Sequence, residues 1–352
     1  MKNICIFIST LLNGGAEKQA VLLAKVLSRE NKVWVVVYYP NLAEQKFLDV
    51  IGSEKINIIY LNGNQLIRIF KLFRFLRNES IDIIFSFLLN ENIIGGIIGK
   101  MVGVKFRIGG VRVAFNPKMK VFYQKLSQNY INNFTIYNNY RGVKELAKIG
   151  FNQDKSIVIP NCLELNVKPI LRKKKDLVRI ISVGRFVAQK DYLTAIKSIS
   201  MLKKWGASFE YIIIGWGILE NDIKKWLSEY EIDDVTEIII NPLDLDEYYK
   251  NSDIYIQTSL YEGLSNTVLE AMSYSLPLVI TDVGDNERLI RNNGFLCNIG
   301  DTEQLYLGLV ELTKSHKLRV EYGKNSYQLV KKNYSIEKFT SRYIEFIEML
   351  DG

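Results

Sequence analysis

The chain has 352 residues, of which 48% are hydrophobic and 24% are charged, and its net charge is +8. This composition excludes an intrinsically disordered chain, and the length favours two domains over a single core. The three cysteines (Cys5, Cys162, Cys297) have no metal-ligand spacing and favour a reducing compartment, and a single histidine, His316, excludes Ser/His or Cys/His triads and histidine metal sites.

The excess of positive charge is confined to the first half of the chain. Residues 1–165 contain 22 Lys and Arg against 11 Asp and Glu, whereas residues 166–352 contain 24 against 27. A surface of one sign suits an anionic membrane, a phosphate-bearing acceptor or nucleic acid, although a basic surface that only confers solubility would explain it as well.

The first predicted strand, residues 4–8, is a short apolar run that ends in Asn13-Gly14-Gly15-Ala16-Glu17. That ending is not a cleavage site, so we do not interpret the run as a signal peptide. No stretch reaches the about 20 apolar residues needed to span a bilayer. Gly14 and Gly15 let the backbone approach a ligand and leave the next helix open to an anion, but a tight turn is the alternative. The spacing is not G-x-G-x-x-G, which disfavours a dinucleotide site.

Further strands are predicted over 32–39, 57–61, 81–87 and 109–113. Arg112 lies at the end of the last of these strands. The stretch 116–130 then mixes three lysines with apolar side chains and could contact an acidic or polyprenyl-linked acceptor.

Residues 66–77 have the periodicity of an amphipathic helix. Packing on a sheet explains its apolar half, and we expect two further apolar residues, Ile67 and Phe75, to project among its basic side chains. Those two residues favour membrane contact as the alternative. The basic side chains of this helix are Arg68, Lys71, Arg74 and Arg77.

The second half begins after a predicted linker over 166–176, which contains Pro169 and a run of four basic residues. A strand over 178–183 then leads into Gly184 and Arg185, with Lys190 following. Two cations beside a strand end can neutralise a diphosphate leaving group, and ordinary surface charge is the alternative.

The most informative stretch is 253–287, which predicts strands over 254–257 and 278–281 around a helix over 265–275. Glu262 lies in the loop before this helix and Glu270 lies within it. Carboxylates accept hydrogen bonds from sugar hydroxyls, and a helix start with Ser265 as N-cap offers backbone N–H groups to an anion. The sequence therefore predicts one place that receives both sugar and phosphate.

The residues Glu262-Gly263, Ser265-Asn266 and Glu270-Ala271-Met272 resemble the E-x7-E signature of retaining GT-B glycosyltransferases of the GT4 type. The resemblance implies an α/β fold of two doubly wound Rossmann-like domains that face each other across a cleft. It assigns acceptor binding to residues 1–165, with a helix over 335–352 crossing back, and nucleotide-sugar binding to residues 176–334.

The resemblance also implies the roles of individual residues. Arg185, Lys190 and Glu262 would be catalytic, while Glu17 and Arg112 are candidate contacts of donor or acceptor. Arg112 stands where many members of the family have a histidine. The donor-binding residues would be Gly14, Gly15, Gly184, Gly263, Leu264, Ser265, Asn266, Thr267 and Glu270.

The function implied is retaining transfer of a sugar from a nucleotide-diphosphate sugar to a glycan or polyprenyl-linked acceptor in capsule, O-antigen or glycan assembly. We expect no cofactor and no metal, because no Asp-x-Asp clamp is evident and Arg185 and Lys190 would replace it. Nucleic acid is not an expected partner, whereas an anionic membrane surface is an open one, and the expected location is cytoplasmic or peripheral on the inner face of the membrane. The alternatives are a nucleotide-sugar epimerase of GT-B architecture and a noncatalytic, membrane-associated sugar-nucleotide module.

Overall fold

The computed structural model describes residues 1–12, 14–40, 43–112, 118–165, 167–242 and 244–351. The chain forms two compact units, one of residues Met1–Asn161 and Ile336–Gly352 and the other of Cys162–Ser335. The predicted strand 109–113 and the predicted acceptor contact 116–130 both extend into 113–117, which lie outside the described residues.

Each unit is built on a parallel sheet. The first sheet contains β1 (Asn3–Ile8), β2 (Lys32–Val37), β3 (Asn57–Tyr60), β4 (Ile83–Ser86), β5 (Phe106–Val111), β6 (Phe134–Tyr137) and β7 (Ser156–Val158). The second sheet contains β8 (Val178–Val183), β9 (Phe209–Gly215), β10 (Thr236–Ile240), β11 (Ile254–Gln257), β12 (Leu278–Thr281) and β13 (Gly294–Cys297).

Helices connect and cover the strands. In the first part of the chain these are α1 (Gly15–Leu27), α2 (Gln45–Ser53), α3 (Gln65–Asn78), α4 (Leu89–Val102), α5 (Lys118–Leu126) and α6 (Tyr140–Ala147). The others are α7 (Tyr192–Lys204), α8 (Glu220–Glu229), α9 (Asp246–Asn251), α10 (Asn266–Ser273), α11 (Asn286–Leu289), α12 (Thr302–Lys314), α13 (His316–Asn333) and α14 (Ile336–Met349).

The strand order reverses once in each sheet. The first sheet runs β3-β2-β1-β4-β5-β6-β7 and the second runs β10-β9-β8-β11-β12-β13, so both are doubly wound. Ligands of such sheets bind outside the carboxyl ends of the strands at the reversal. The fold therefore predicts ligand binding at the carboxyl ends of β1 and β4 in the first unit and of β8 and β11 in the second.

The strands are nearly continuous apolar runs because both faces of each sheet are covered by helices. Successive side chains point to opposite faces, so Ile180 and Ile181 of β8 belong to two separate hydrophobic clusters. In the first unit, α14 packs against the sheet through Tyr343 and Phe346, whose rings lie 5.8 and 6.5 Å from that of Phe85. The C-terminal helix thus belongs to the first unit.

Two details differ from the sequence-based expectations. The unit boundary follows Asn161 rather than residue 165, and the segment predicted as a linker is partly buried in the second unit. There Arg172, 8% exposed, donates to the carbonyls of Ser252, Tyr274 and Ser275. These bonds explain how a basic residue is accommodated inside the unit.

The prediction that Phe75 projects among the basic residues of α3 is wrong. Its ring is partly buried and packs edge-on against Trp34 at 5.9 Å, on the surface of the core of the first unit. The exposed apolar residues of α3 are instead Leu66 at 77%, Ile67 at 45% and Phe70 at 59%. Among the described residues, no helix is long and apolar enough to cross a membrane.

Candidate active site

The predicted catalytic residues of the second unit follow two neighbouring strands. Arg185 and Lys190 come after β8, Glu262 comes after β11, and these two strands pair directly in parallel. The three residues therefore lie at the carboxyl ends of the strands where the sheet order reverses.

Lys190 and Glu262 form the best defined contact of this region. The Lys190 Nζ lies 2.6 Å from the Glu262 Oε1, and the two side chains are 14% and 11% exposed. The Ser259 hydroxyl donates to the same oxygen at 2.9 Å. A charge-assisted hydrogen bond in a partly buried place is short and strong, so each side chain fixes the position of the other.

Backbone contacts hold the two loops together around this ion pair. The Thr258 hydroxyl donates to the carbonyls of Lys190 and Asp191 at 3.0 and 2.8 Å. The Leu260 N–H donates to the Gln189 carbonyl at 2.8 Å, and Gln189 Nε2 donates to the Tyr261 carbonyl at 2.7 Å. The position of Lys190 therefore depends on both loops.

Arg185 is placed differently from Lys190. Its side chain is exposed and forms no hydrogen bond or ion pair with the described residues. The backbone of the neighbouring Gly184 packs closely against Gly215 of β9. A Cβ atom at Gly215 would lie only 1.9 Å from the Gly184 carbonyl oxygen. The loop is thus fixed at its backbone while the guanidinium is available to a ligand.

The start of α10 lies beside the same loop. Ser265 is the N-cap, as predicted, but its hydroxyl does not cap the helix. It accepts instead from Gln257 Nε2 at 2.9 Å and lies 3.1 Å from the Thr267 hydroxyl. Because the N-cap hydroxyl is bonded elsewhere, it does not compete with a ligand for the first amide groups of the helix.

Glu270 is half-buried on α10 and meets an aromatic pair. The Tyr249 hydroxyl donates to Glu270 Oε2 at 3.3 Å, and the Tyr249 ring stacks on that of Tyr274 at 5.3 Å. Burial, and then the charge of Glu270, raises the pKa of Tyr249, so the phenol remains a proton donor.

A turn after β12 supports the Glu262 loop. Gly284 has φ +52°, and a Cβ there would lie 2.1 Å from the Gly263 carbonyl oxygen and 2.7 Å from that of Glu262. The Asp285 N–H donates to the Gly263 carbonyl at 3.0 Å. Only glycine allows this approach with that backbone conformation.

The predicted residues of the first unit form their own group. Gly14 is the N-cap of α1, and a Cβ there would lie 2.2 Å from Glu17 Oε2. Glu17 Oε1 accepts from the Thr10 hydroxyl at 3.1 Å. Gly15 is the first residue of α1, so these residues do cluster where β1 ends.

Arg112 follows β5 in the same unit. It donates to Asn161 Oδ1 at 3.1 Å, and its guanidinium lies 4.5 Å from the centroid of the Phe87 ring. Asn161 and Phe87 therefore hold the Arg112 side chain in place, in addition to any contact that it makes with a ligand.

Several residues that organise the site were not predicted from the sequence. They are Ser259 on Glu262, Gln257 on Ser265, Tyr249 on Glu270, and Gly215 and Gly284 under the loops. The only sequence signal was the polar run that follows β11. In the part of the chain that the structure describes, no three His, Cys, Asp or Glu side chains form a metal-ligand group.

Comparison with known proteins adds to this geometry. Residues 165–329, within the second unit, match the family of glycosyl transferases group 1. An uncharacterized glycosyltransferase of Haemophilus influenzae is 29% identical over 203 residues, and the match covers 57% of each chain. The amylovoran biosynthesis glycosyltransferase AmsD of Erwinia amylovora is 24% identical, with 93% of this chain and 95% of that protein covered.

A third relative, from Campylobacter jejuni, is 23% identical over 92% of this chain and 93% of its own length. It is the N-acetylgalactosamine-N,N'-diacetylbacillosaminyl-diphospho-undecaprenol 4-alpha-N-acetylgalactosaminyltransferase. Among solved structures, Anabaena HepE in complex with UDP-glucose aligns with a TM-score of 0.86 at 14% identity, covering 99% of this chain and 100% of that one.

These findings confirm the fold as two parallel-sheet Rossmann-like domains of the kind seen in GT-B glycosyltransferases. Residues 165–329 of the second unit match the model of glycosyl transferases group 1, and the relatives that cover 93% and 92% of the chain are named as transferases of sugars. The chain is therefore a transferase of glycosyl groups.

Proposed function

We propose that this protein transfers a sugar from a nucleotide-diphosphate sugar to a glycan or polyprenyl-linked acceptor, with retention of the anomeric configuration. The observation that carries the proposal is the Lys190–Glu262 ion pair at the reversal of the second sheet, beside the start of α10. Cations and helix amide groups at such a place suit a diphosphate.

In this proposal the leaving diphosphate is stabilised by positive charge from the protein. Arg185 and Lys190 offset the negative charge that develops as the sugar–phosphate bond breaks, so no metal ion is required. The first-turn amides of α10, over Asn266 and Thr267, bind the phosphate oxygens beside Gly263 and Leu264. Glu270 accepts from the ribose hydroxyls, and its bond to Tyr249 holds the carboxylate in place.

Glu262 has two tasks in the proposed mechanism. One carboxylate oxygen holds Lys190 and Ser259, while Oε2 accepts no hydrogen bond from the described residues and is available to a hydroxyl of the donor sugar. For retention, the departing phosphate oxygen takes the proton of the acceptor hydroxyl on the face that the leaving group vacates. This route uses no separate general base.

Of the two proposed kinds of acceptor, the names of the relatives favour the polyprenyl-linked one. The name of the Campylobacter jejuni relative gives a diphospho-undecaprenol acceptor, and AmsD acts in amylovoran biosynthesis. We therefore place this protein in bacterial surface-glycan assembly. Because these relatives transfer sugars, they favour transfer over epimerisation and over noncatalytic binding.

We also propose that the first unit contacts an anionic membrane surface from the cytoplasm. Leu66, Ile67 and Phe70 are exposed on α3 beside Lys71 and Arg74. On α5, Met119 and Phe122 are 64% and 54% exposed beside Lys118 and Lys120. Apolar residues among cations are typical of a helix that lies in a membrane interface.

The test is incubation of the protein with UDP-glucose, UDP-galactose and their N-acetylamino counterparts, with and without a bacterial lipid extract. Mass spectrometry should detect a lipid product heavier by one sugar residue for at least one donor. A changed sugar isomer that forms without lipid, detected by chromatographic separation because isomers have the same mass, would show an epimerase instead. Absence of both products, with every donor and extract, would contradict the proposal.

A further inference from the structure

A second polar group occupies the reversal of the first sheet. Ser9 follows β1, Tyr38 follows β2, and Glu91 lies in the first turn of α4 after β4. Backbone bonds hold the first two side by side, since the Tyr38 N–H donates to the Ile8 carbonyl at 2.9 Å and the Tyr39 N–H to that of Ser9 at 2.8 Å. This position is where doubly wound sheets bind ligands.

Polar atoms in this group are buried but lack partners. Glu91 is 1% exposed, and while its Oε1 accepts from the Ser9 hydroxyl at 2.5 Å, its Oε2 has no partner among the described residues. Tyr38 is 4% exposed, and its hydroxyl also has no partner there. The same holds for the Nε of Arg68. Buried polar atoms without partners destabilise a fold, so three of them in one region indicate a ligand.

Aromatic rings form the wall of this region. The Arg68 guanidinium lies 5.3 Å from the Tyr38 ring and 4.8 Å from the Tyr39 ring. Tyr38 also packs edge-on against Phe7 and Tyr39, at 6.0 and 5.0 Å. The wall is therefore fixed, while Ser9 and Arg68 are only half-buried and Tyr39 is 40% exposed. The buried atoms thus belong to a group whose other side chains are partly exposed.

The charges around these atoms select the kind of ligand. Glu91 lies near Glu17, and burial together with the Glu17 charge raises the pKa of Glu91. Two carboxyl groups disfavour a phosphate, and the Arg68 guanidinium disfavours a cation. What remains is a neutral ligand whose groups both donate and accept hydrogen bonds. Sugar hydroxyls meet this description, and aromatic walls suit the apolar face of a sugar ring.

We propose that Ser9, Tyr38 and Glu91 bind neighbouring hydroxyls of an uncharged sugar ring. This inference rests on the proposed function, in which that ring is part of the acceptor glycan. Tyr38 Oη and Glu91 Oε2 contact the hydroxyls directly, and Ser9 orients the carboxyl group. Tyr38 and Glu91 are then residues that decide which acceptor sugar is used.

The test is saturation-transfer difference NMR on the whole protein with glucose, galactose and N-acetylglucosamine as probes. We expect a signal from at least one sugar, weakened about tenfold or more in Tyr38→Phe and in Glu91→Gln. Tyr38→Phe removes one oxygen and keeps the ring contacts, so it should fold. Tyr130→Phe and Glu145→Gln, at exposed positions of the same unit, should bind the sugars as the parent does.

Binding of UDP-glucose, measured in parallel, separates the two claims. If the parent binds UDP-glucose but no probe sugar, or if both variants bind the sugars as the parent does, the inference is wrong. Competition by inorganic phosphate for the sugar signal would also overturn it. If the sugars bind as expected and no nucleotide sugar binds or is turned over, the proposed function fails instead.

Discussion

At the scale of single residues, the two cations of the second unit differ in what holds them. Lys190 is paired with Glu262 at 2.6 Å, so part of its charge is already neutralised before any ligand arrives. Arg185 is exposed and has no such partner among the described residues. Arg185 can therefore interact with a diphosphate through its full charge, whereas Lys190 interacts from a position that Glu262 fixes.

The buried carboxyl group of Glu91 leads to a prediction about stability and pH. Its pKa is raised above the ordinary value of 4.5, chiefly by burial, so the folded state holds its proton more tightly than the unfolded state. The stability from this group is complete below the unfolded pKa and is lost as pH rises through the folded pKa. The hydrogen bond from Ser9 opposes this rise in the pKa of Glu91, whereas the charge of Glu17 adds to it.

The measurement compares thermal midpoints of the parent and Glu91→Gln from about pH 4 to about pH 8. The amide of the variant cannot titrate, so the midpoint of the parent should fall relative to the variant as the pH rises. Glu145→Gln, at an exposed position, is the control. A parent-minus-variant difference that is constant with pH, or that rises, would contradict a buried carboxyl group with a raised pKa.

At the scale of secondary-structure elements, the turn after β12 is predicted to control the Glu262 loop. Gly284→Ala would bring a methyl group against the carbonyls of Gly263 and Glu262, so the loop that carries the carboxylate must move. We expect turnover to fall by about tenfold or more, since small displacements of catalytic groups are costly.

Gly206→Ala is the matched control for this change. Gly206 has φ +89°, so alanine is strained there too, but no atom lies within 4 Å of its Cβ position. It should lose about 1–2 kcal/mol of stability and keep its turnover. Equal turnover of both variants would show that the contact with Gly263 does not position Glu262.

The elements themselves were largely predictable, because buried parallel strands are apolar runs and their helices are amphipathic. The site residues of the 253–287 stretch were also predictable, because the motif that they form is local in sequence. The Lys190–Glu262 pair was not predicted as a contact, because it joins two loops that only the pairing of β8 with β11 brings together. The position of Phe75 was predicted wrongly because periodicity shows which face of α3 a residue lies on but not which neighbouring strand covers that face. Here Trp34 of β2 contacts Phe75.

At the scale of the whole molecule, activity should not depend on a divalent metal. If Arg185 and Lys190 supply the positive charge, transfer after treatment with EDTA should match the untreated rate. The measurement is sugar transfer in EDTA and again after addition of Mg²⁺ or Mn²⁺. Loss of activity in EDTA and its return with either metal would refute a site that relies on side-chain cations.

Membrane contact by the first unit is a second prediction at this scale. Each exposed cation near an anionic surface contributes about 1 kcal/mol, and the contribution weakens with salt. We expect the parent to sediment with anionic but not neutral vesicles at low salt. Arg68 and Lys125 are left unchanged, since they contact Tyr39 and the Ile149 carbonyl. The substituted cations are Lys71, Arg74, Lys118 and Lys120, each changed to Gln.

The control changes the same number of exposed cations in the second unit, namely Lys173, Lys174, Lys204 and Lys317 to Gln. The first variant should lose most of its vesicle binding, and the control should keep it. Equal binding by the two variants would assign the effect to net charge rather than to this surface. No binding by the parent to anionic vesicles would remove the membrane proposal and leave the transferase unaffected.

The central claim, that the second unit neutralises a departing diphosphate with its own cations, is tested most directly by Arg185→Ala and Lys190→Ala. Lys204→Ala, at an exposed lysine at the end of α7, is the matched control. The measurement is the rate of sugar transfer from the donor that the parent uses, at saturating donor. We expect about a 100-fold loss or more in both site variants and none in the control. Rates within about twofold of the parent for both site variants would contradict the claim.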